Sequence, residues 1–411
     1  MTGGRMRTIL FYAKSQPHWR RVVADTLVGG LRLTPDHIPA PWRGARRVQF
    51  MFAEEYDRLS YLADWRDAWC ASPRLDVELC NVNNLFEYRR GLKALPEYDL
   101  AVILHSAAGD NLSLLQFGAR SFANRRGRLL VFVGNEYDLM PEKIGFLKAV
   151  RADFIATQLP LPAARWLYAE CTDSRVVAAP AALNPDVYRP SDRPRPIDVG
   201  FRGDKYSSMF IGDTERTDLL ERFQARAGEW GLVVDIQFQR HSRAQWREFL
   251  GSCKGTIGAE SGVRRLERDD RTKRSVEEYL RQNPAAGFEE VRERFYKDRP
   301  DPVSGKTISS RHFEAIGTKT CQILVEGQYN GILKADEHFI SVKRDLSNLD
   351  RAVERFKDEK YRRSMADRAY EHVMAVHTYR HRVEALLEAI GGPGRKRPVV
   401  EHDSHAAGLL A

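Results

Sequence analysis

Short, almost continuously apolar runs alternate with longer amphipathic segments along most of the chain. Runs such as 8–12 and 129–134 have the composition of strands that are buried on both faces. The segments between them place apolar residues on one helical face and charged residues on the other. The same pattern predicts further strands at 77–82, 99–105, 153–157, 175–178, 197–203, 232–238, 254–259, 321–326 and 339–342. Buried strands separated by helices predict an α/β fold with doubly wound parallel sheets.

A proline-rich, charged stretch interrupts this alternation near the middle of the chain, and proline disfavours both helices and sheet ladders. The chain has 411 residues, too many for one ordinary hydrophobic core, so we expect two domains. A loop-like composition after the last helix predicts a disordered tail. The predicted divisions are a Rossmann-like N-terminal domain at 1–185, a linker at 186–196, a Rossmann-like C-terminal domain at 197–376 with a polar surface insertion at 262–306, a helix at 377–390 that packs back toward the N-terminal domain, and the tail at 391–411.

Composition narrows the class of protein further. A hydrophobic content of 43% and a charged content of 29% are typical of a globular protein. No apolar run approaches the length of a membrane span, and the N-terminus lacks the apolar core of a signal peptide, so we expect a cytoplasmic protein. The net charge of +9 favours anionic partners such as nucleotides or the headgroups of the inner membrane face. No nucleic-acid-binding motif accompanies that charge, so nucleic acid is not an expected partner.

The most informative segment begins with a polar loop at 307–309. A short helix follows, ends at Gly317 and is followed by a buried strand. Hydroxyl groups and Arg311 gather at the helix start, where unpaired backbone N–H groups and the helix dipole favour an anion. Glu314, one turn inside, is suited to the hydroxyls of a ribose or a sugar. The combination predicts a site for a nucleoside-diphosphate sugar.

Three stretches of the C-terminal half carry a resemblance to a known family. They are the strand and turn at 198–205, the helix start at 310–318, and the tail at 338–349 leading to a helix that ends near 376–379. Together they resemble GT-B fold glycosyltransferases, in particular the spore-maturation-type and group 1 families. The resemblance covers about half the chain. It implies a donor domain in the C-terminal half and a cleft between two Rossmann-like domains.

The resemblance also implies roles for individual residues. Glu314 would accept hydrogen bonds from donor hydroxyls, foremost those of the ribose. Ser309, Ser310 and Arg311 would lie near the diphosphate, with the base as the alternative contact of Arg311. Arg202 and Lys205 would neutralise the diphosphate as it leaves. Many retaining relatives carry two glutamates separated by seven residues, whereas Lys306 occupies the first of those positions here, which leaves retention or inversion open. No metal and no cofactor are expected, because arginines, lysines and helix N-termini would meet the donor charge. The predicted donor-binding residues are Arg202, Lys205, Ser309, Ser310, Arg311, Glu314 and Thr318.

An inverting transferase needs a base near the acceptor hydroxyl. His105 ends one predicted strand of the N-terminal domain, and Glu136 and Asp138 follow another, so these three residues are the candidates. The alternative for Asp138 is a helix cap, and for His105 a hydrogen-bonded core position. Arg216, inside a predicted helix, is interpreted as a surface charge.

The sequence therefore predicts a glycosyltransferase that acts on an acceptor hydroxyl in glycan or glycoconjugate synthesis. The acceptor could equally be a glycan, a lipid-linked molecule or a protein. The alternatives are a nucleotide-sugar epimerase on the same fold and a non-catalytic nucleotide-binding or scaffold protein. The arginine-rich stretch 264–274 is the predicted place for a peripheral contact with an anionic membrane.

Overall fold

The computed structural model of the protein describes residues 4–16, 18–52, 55–205, 208–297 and 303–391. The predicted tail lies outside the described residues except for Gly391. Two parallel β-sheets form the framework, with six strands in the N-terminal half and five in the C-terminal half. The predicted α/β class with two doubly wound domains is therefore confirmed.

The N-terminal sheet has the strand order β2-β1-β3-β4-β5-β6, and every neighbouring pair is parallel. Its order reverses between β1 and β3, which creates a crevice at the carboxyl ends of those strands. The strands lie where the apolar runs predict them, because side chains on both faces are buried under helices. Their bounds are β1 (Met6–Tyr12), β2 (Leu75–Asn81), β3 (Leu100–Ile103), β4 (Arg128–Phe132), β5 (Phe154–Thr157) and β6 (Arg175–Ala178).

The third predicted strand, 99–105, is too long at its carboxyl end. It ends at Ile103, and His105 is the first residue of a short helix. Helix α4 has a capped N-terminus. The Asn84 side chain accepts hydrogen bonds from the backbone N–H groups of Phe86 and Glu87. The helices of this domain are α1 (Trp19–Gly30), α2 (Arg46–Phe52), α3 (Ser60–Ala71), α4 (Leu85–Ala94), α5 (His105–Ala108), α6 (Ser113–Phe117), α7 (Ala119–Ala123), α8 (Met140–Ala149) and α9 (Leu161–Leu167).

The C-terminal sheet has the order β11-β10-β9-β7-β8 and is also parallel throughout. Its order reverses between β7 and β9, so a second crevice opens at the carboxyl ends of these strands. The bounds are β7 (Ile197–Arg202), β8 (Val234–Gln237), β9 (Cys253–Gly258), β10 (Cys321–Val325) and β11 (Ile340–Val342). The helices are α10 (Ser208–Ile211), α11 (Glu215–Arg226), α12 (Arg243–Gly251), α13 (Arg271–Gln282), α14 (Phe288–Phe295), α15 (Ser310–Gly317), α16 (Leu349–Lys357), α17 (Glu359–Val376) and α18 (Tyr379–Ile390).

Segments of the C-terminal half pack on the N-terminal domain. The apolar face of α18 joins a core cluster with Trp65 and Trp69 of α3. The insertion contributes Val263 and Leu266 to the core of the N-terminal domain, and its Asp270 accepts a hydrogen bond from Met140 N at 3.0 Å. The interpretation of this stretch as a surface excursion is therefore wrong for its first part.

Arg216 is also not the surface charge that the sequence suggested. Its side chain is buried and donates a hydrogen bond of 2.9 Å to the carbonyl oxygen of Asp204. Its guanidinium carbon lies 5.9 Å from the centre of the Phe201 ring. Among the described residues, no helix combines the length and apolar character needed to cross a bilayer.

Candidate active site between the two domains

A cavity of about 350 Å³ lies between the two domains. It is formed at the carboxyl ends of strands in both sheets. The N-terminal domain lines it with residues that follow β3, β4 and β5, including His105, Asn135 and Gln158. The C-terminal domain contributes Arg202 from the end of β7 and the start of α15. The cavity can therefore hold a ligand that contacts both domains.

The start of α15 faces this cavity. Ser309 is the N-cap, and its backbone N–H donates to His312 Nδ1 at 3.0 Å, which fixes the first turn. Ser309, Ser310 and Arg311 all line the cavity, so the positive end of the helix dipole lies at its wall. A Cβ on Gly203 would lie 2.5 Å from Arg311 Nη1. Glycine at that position therefore lets the Arg311 guanidinium lie against the turn that follows β7.

Glu314 is buried one turn further along α15 and also lines the cavity. Its Oε2 accepts a hydrogen bond of 2.6 Å from Trp246 Nε1, while Oε1 has no hydrogen-bond partner among the described residues. Burial first, and then the negative charge of Asp64, raise the pKa of Glu314 to about 7. A ligand hydroxyl that donates to Oε1 would satisfy this oxygen and favour the ionised carboxylate.

Arg202 lies at the same wall but is already held by the protein. Its Nη2 donates to Asp235 Oδ2 at 2.6 Å, its Nη1 to two backbone carbonyls, and its Nε to His241 Nε2 at 3.2 Å. Its guanidinium carbon lies 3.9 Å from the centre of the Phe249 ring. Arg202 is therefore held rigidly at the cavity wall, and its ion pair with Asp235 offsets part of its positive charge.

The structure does not bring every predicted donor residue to the cavity. Lys205 is exposed and forms an ion pair of 2.8 Å with Glu221. Thr318 is buried beyond the end of α15, where its hydroxyl donates to Ala315 O at 3.0 Å. Neither side chain lines the cavity, so neither is in a position to contact a ligand bound there.

The three predicted base candidates have different surroundings. Glu136 is buried, and its two oxygens accept hydrogen bonds from Thr157, Tyr168 and the backbone of Gln158. These three bonds tie together the ends of neighbouring strands, as a structural carboxylate does. Asp138 pairs with Lys273 of the insertion and does not line the cavity.

His105 lines the cavity from a pocket of aromatic rings. The centres of the Phe132 and Tyr61 rings lie 4.9 and 5.7 Å from its own. Neither ring nitrogen has a hydrogen-bond partner among the described residues. Burial lowers the pKa of His105 to about 3, so the imidazole is neutral at physiological pH. Of the three candidates, His105 alone lines the cavity and also has buried side-chain polar atoms without a hydrogen-bond partner in the described part of the chain.

Sequence reasoning missed an ionic link that joins the two domains beside the cavity. Arg243, at the start of α12, pairs with Asp64 and, at 3.0 Å, with Asp67, both on α3. Asn184, two residues before the predicted linker, donates a hydrogen bond of 2.7 Å to Asp64. The sequence predicted helix α12 from its apolar periodicity. It could not predict the contact between Arg243 and Asp64, because a single sequence does not indicate which residues 179 positions apart meet in the fold.

Lys306, at the position where many retaining relatives carry a glutamate, forms an ion pair of 2.6 Å with Asp213. Its neighbours Gly305 and Thr307 line the cavity, so this ion pair lies next to the cavity wall. Within the described ranges, no group of three or more histidine, cysteine or acidic side chains is arranged to hold a metal ion.

Two doubly wound domains with a cavity at the carboxyl ends of both sheets have the architecture of GT-B proteins, as the sequence predicted. Residues 288–388, about a quarter of the chain, match the family described as glycosyl transferase-like. That segment runs from α14 to α18 and includes Arg311 and Glu314. The predicted resemblance to glycosyltransferases is confirmed, and glycosyl transfer is the class of reaction that the match supports.

Several solved structures are similar in shape. HepE of Anabaena in complex with UDP-glucose has 10% identity and a TM-score of 0.46, with 94% of this chain and 99% of that chain covered. The sucrose-phosphate synthase of Thermosynechococcus elongatus has 11% identity and a TM-score of 0.49, over 94% and 98%. A DNA-modifying β-glucosyltransferase has 10% identity and a TM-score of 0.46, over 93% and 99%. Likeness at this level extends to neither substrate nor mechanism. The search of curated protein sequences found no match.

Proposed function

We propose that the protein is a glycosyltransferase that moves a sugar from a nucleoside-diphosphate sugar to an acceptor hydroxyl. The observation that carries this proposal is the buried Glu314 carboxylate with an unsatisfied oxygen, one turn from Arg311, in the wall of an interdomain cavity. An unsatisfied buried carboxylate is costly to keep, so a ligand that donates to it is the simplest reason for its presence.

The donor would lie against the C-terminal domain. Its diphosphate would contact the N-terminus of α15 and Arg311, with Arg202 behind it as fixed positive charge. Glu314 would accept hydrogen bonds from the ribose or sugar hydroxyls. We propose that these groups meet the donor charge without a metal ion or a cofactor.

The reaction would be a displacement at the anomeric carbon. The acceptor oxygen forms a bond to that carbon, the bond from carbon to the phosphate oxygen breaks, and the diphosphate leaves with the electron pair. Fixed positive charge at the cavity wall stabilises the leaving group as negative charge develops on it. The acceptor hydroxyl proton would pass to His105, whose pKa a bound anionic diphosphate would raise from its low value.

The polar group at the N-terminal side of the cavity suits a hydroxyl-rich acceptor. Asp110 accepts hydrogen bonds from Tyr56 at 2.8 Å and Asn135 at 2.6 Å, and all three line the cavity. We propose an acceptor from glycan or glycoconjugate synthesis, with a glycan, a lipid-linked molecule or a protein as the candidates. The cytoplasmic location stays a prediction from the sequence.

A thermal-shift screen against nucleoside diphosphates and their sugars tests the proposal. A ligand that binds only the folded state at a hundredfold excess over its Kd stabilises it by about 2.7 kcal/mol. We expect such a shift with at least one nucleotide sugar, its loss in Glu314→Ala and its retention in Lys205→Ala, the matched control outside the cavity. No shift with any nucleotide would contradict the proposal. Conversion of the donor without acceptor and without net hydrolysis would favour the epimerase instead.

A further inference from the structure

Helix α1 has an inverted arrangement of polar and apolar residues. Its buried face carries Arg21 and Asp25, which form an ion pair of 2.8 Å. Its exposed face is apolar, with large side chains four residues apart, and the stripe continues past the end of the helix. The members and their exposed fractions are Trp19 at 71%, Val23 at 49%, Leu27 at 50% and Leu31 at 66%. A surface helix whose outer face contacts only water carries polar residues on that face and apolar residues on its buried face.

The start of α4 extends this apolar surface. Phe86 is 68% exposed, and a Cβ on Gly30 would lie 3.2 Å from its Cε2 atom. The Phe86 ring therefore lies against the last turn of α1. We define the α1–α4 surface as the exposed apolar residues Trp19, Val23, Leu27, Leu31, Leu85 and Phe86.

Basic side chains surround this surface. On α4, Arg89, Arg90 and Lys93 follow Phe86 at helical spacing, so they share its outward face. The described residues of 18–52 and 85–94 include one exposed acidic side chain, Asp36. The exposed basic side chains in the same ranges are Arg20, Arg32, Arg43, Arg46, Arg47, Arg89, Arg90 and Lys93. The surface therefore combines a continuous apolar strip with a strong positive charge.

We propose that the α1–α4 surface docks on an anionic lipid bilayer. A bilayer supplies an apolar layer for the tryptophan, leucine and phenylalanine side chains and phosphates for the surrounding arginines. A second copy of this chain fits less well, because a symmetric contact would bring the two basic rims together. Nucleic acid would pair with the arginines but leave the apolar strip exposed to water.

The position of the surface links it to the cavity. Helix α1 follows the carboxyl end of β1, and Lys14, in the connecting loop, accepts a backbone hydrogen bond from Tyr56 of the cavity wall. Docking would thus hold the N-terminal wall of the cavity on a domain that is bound to the headgroups, where a lipid-linked acceptor would lie. This consequence rests on the proposed function, whereas the docking itself does not. The basic stretch that the sequence suggested, 264–274, lies on a different segment.

Vesicle flotation of the full chain tests the proposal, with phosphatidylcholine vesicles that contain or lack phosphatidylglycerol. One variant, Trp19→Ser with Leu27→Ser, removes apolar contacts, and another, Arg89→Gln with Arg90→Gln and Lys93→Gln, removes charge. The apolar control is Val233→Ser with Val376→Ser, which changes exposed valines elsewhere. The charge control is Arg271→Gln with Arg274→Gln in the insertion. All changed side chains are exposed, and circular dichroism checks that each variant folds.

We expect the wild type to bind vesicles with anionic lipid at least tenfold more tightly than neutral vesicles. The apolar variant should bind at least tenfold more weakly, and the charge variant about a hundredfold, at roughly fivefold for each charge removed. Both controls should bind as the wild type does, and nucleotide-induced thermal shifts should stay unchanged in all variants.

Four results would overturn the proposal, and the first three are no binding by the wild type, unaltered binding in both surface variants, and loss of binding in the Arg271→Gln and Arg274→Gln control. A wild-type dimer that dissociates on changing Trp19 and Leu27 would also overturn it, in favour of a second copy. Because nucleotide binding is measured separately, failure of the docking proposal is distinct from failure of the proposed function.

Discussion

Replacing Glu314 with glutamine should make the protein more stable above pH 7 and, at the same time, less able to bind a nucleotide sugar. Burial and the charge of Asp64 raise the pKa of Glu314 from 4.5 to about 7. Between these values the folded state holds a proton that the unfolded chain has released. The stability of the wild type therefore falls as the pH rises through this window.

The size of the effect follows from the shift. At about 1.4 kcal/mol for each pKa unit, the ionised carboxylate lowers the free energy of unfolding by about 3 kcal/mol above pH 7. Glutamine has nearly the same shape and can still accept the hydrogen bond from Trp246 Nε1. The position of Oε1 lacks a partner in the wild type already, so the unsatisfied amide adds little to the cost of the variant.

Urea denaturation at pH 4.5 and pH 8, followed by tryptophan fluorescence, measures the difference. At pH 4.5 the variant and the wild type should agree within about 0.5 kcal/mol, because Glu314 is protonated in the folded state. At pH 8 Glu314→Gln should be more stable by up to about 3 kcal/mol. The exposed Glu248→Gln, on α12, is the control and should show no such pH-dependent gain.

An equal effect of Glu314→Gln at both pH values, or a less stable variant at pH 8, would refute this reasoning. In the functional arm, the affinity for a nucleotide sugar at pH 8 should fall at least tenfold in Glu314→Gln, because the variant lacks the carboxylate charge. Full donor affinity in the variant would remove Glu314 from the donor site. The expected pairing of higher stability with weaker binding is typical of residues kept for function.

Three further predictions follow from the site. Turnover in His105→Gln should fall by about 10² or more with donor affinity unchanged, since we propose that His105 takes the proton of the acceptor hydroxyl. Unchanged turnover would reject it as the base. Arg243→Ala should lower the free energy of unfolding by about 3 kcal/mol, because Asp64, with a side chain 1% exposed, loses its partner; adding Asp64→Asn should restore part of the loss, and no recovery would argue against the pairing. Arg202→Ala should weaken nucleotide binding at least tenfold in calorimetry. Unchanged nucleotide affinity in this variant would show that Asp235 already neutralises the charge of Arg202.

Much of the fold could be read from the sequence because its signals are local. Near-continuous apolar runs such as β4 must be buried on both faces, which implies a parallel sheet under helices. The start of α15 was readable for the same reason, since Ser309 caps a helix three residues before His312 and the apolar residues follow at helical spacing. The insertion was misjudged because Val263 and Leu266 are isolated apolar residues in a charged stretch.

What the sequence by itself determined are the two doubly wound sheets and a capped helix start that carries Arg311 and Glu314. The tertiary structure alone decided which polar residues share a cavity. It brought Arg311, Glu314 and His105 into the wall of one cavity, left Lys205 outside that wall, and joined Arg243 to Asp64 across the domains. The physical reason is range: periodicity and helix capping act within a few residues, whereas burial, charge pairing and pKa shifts depend on neighbours that only folding brings together.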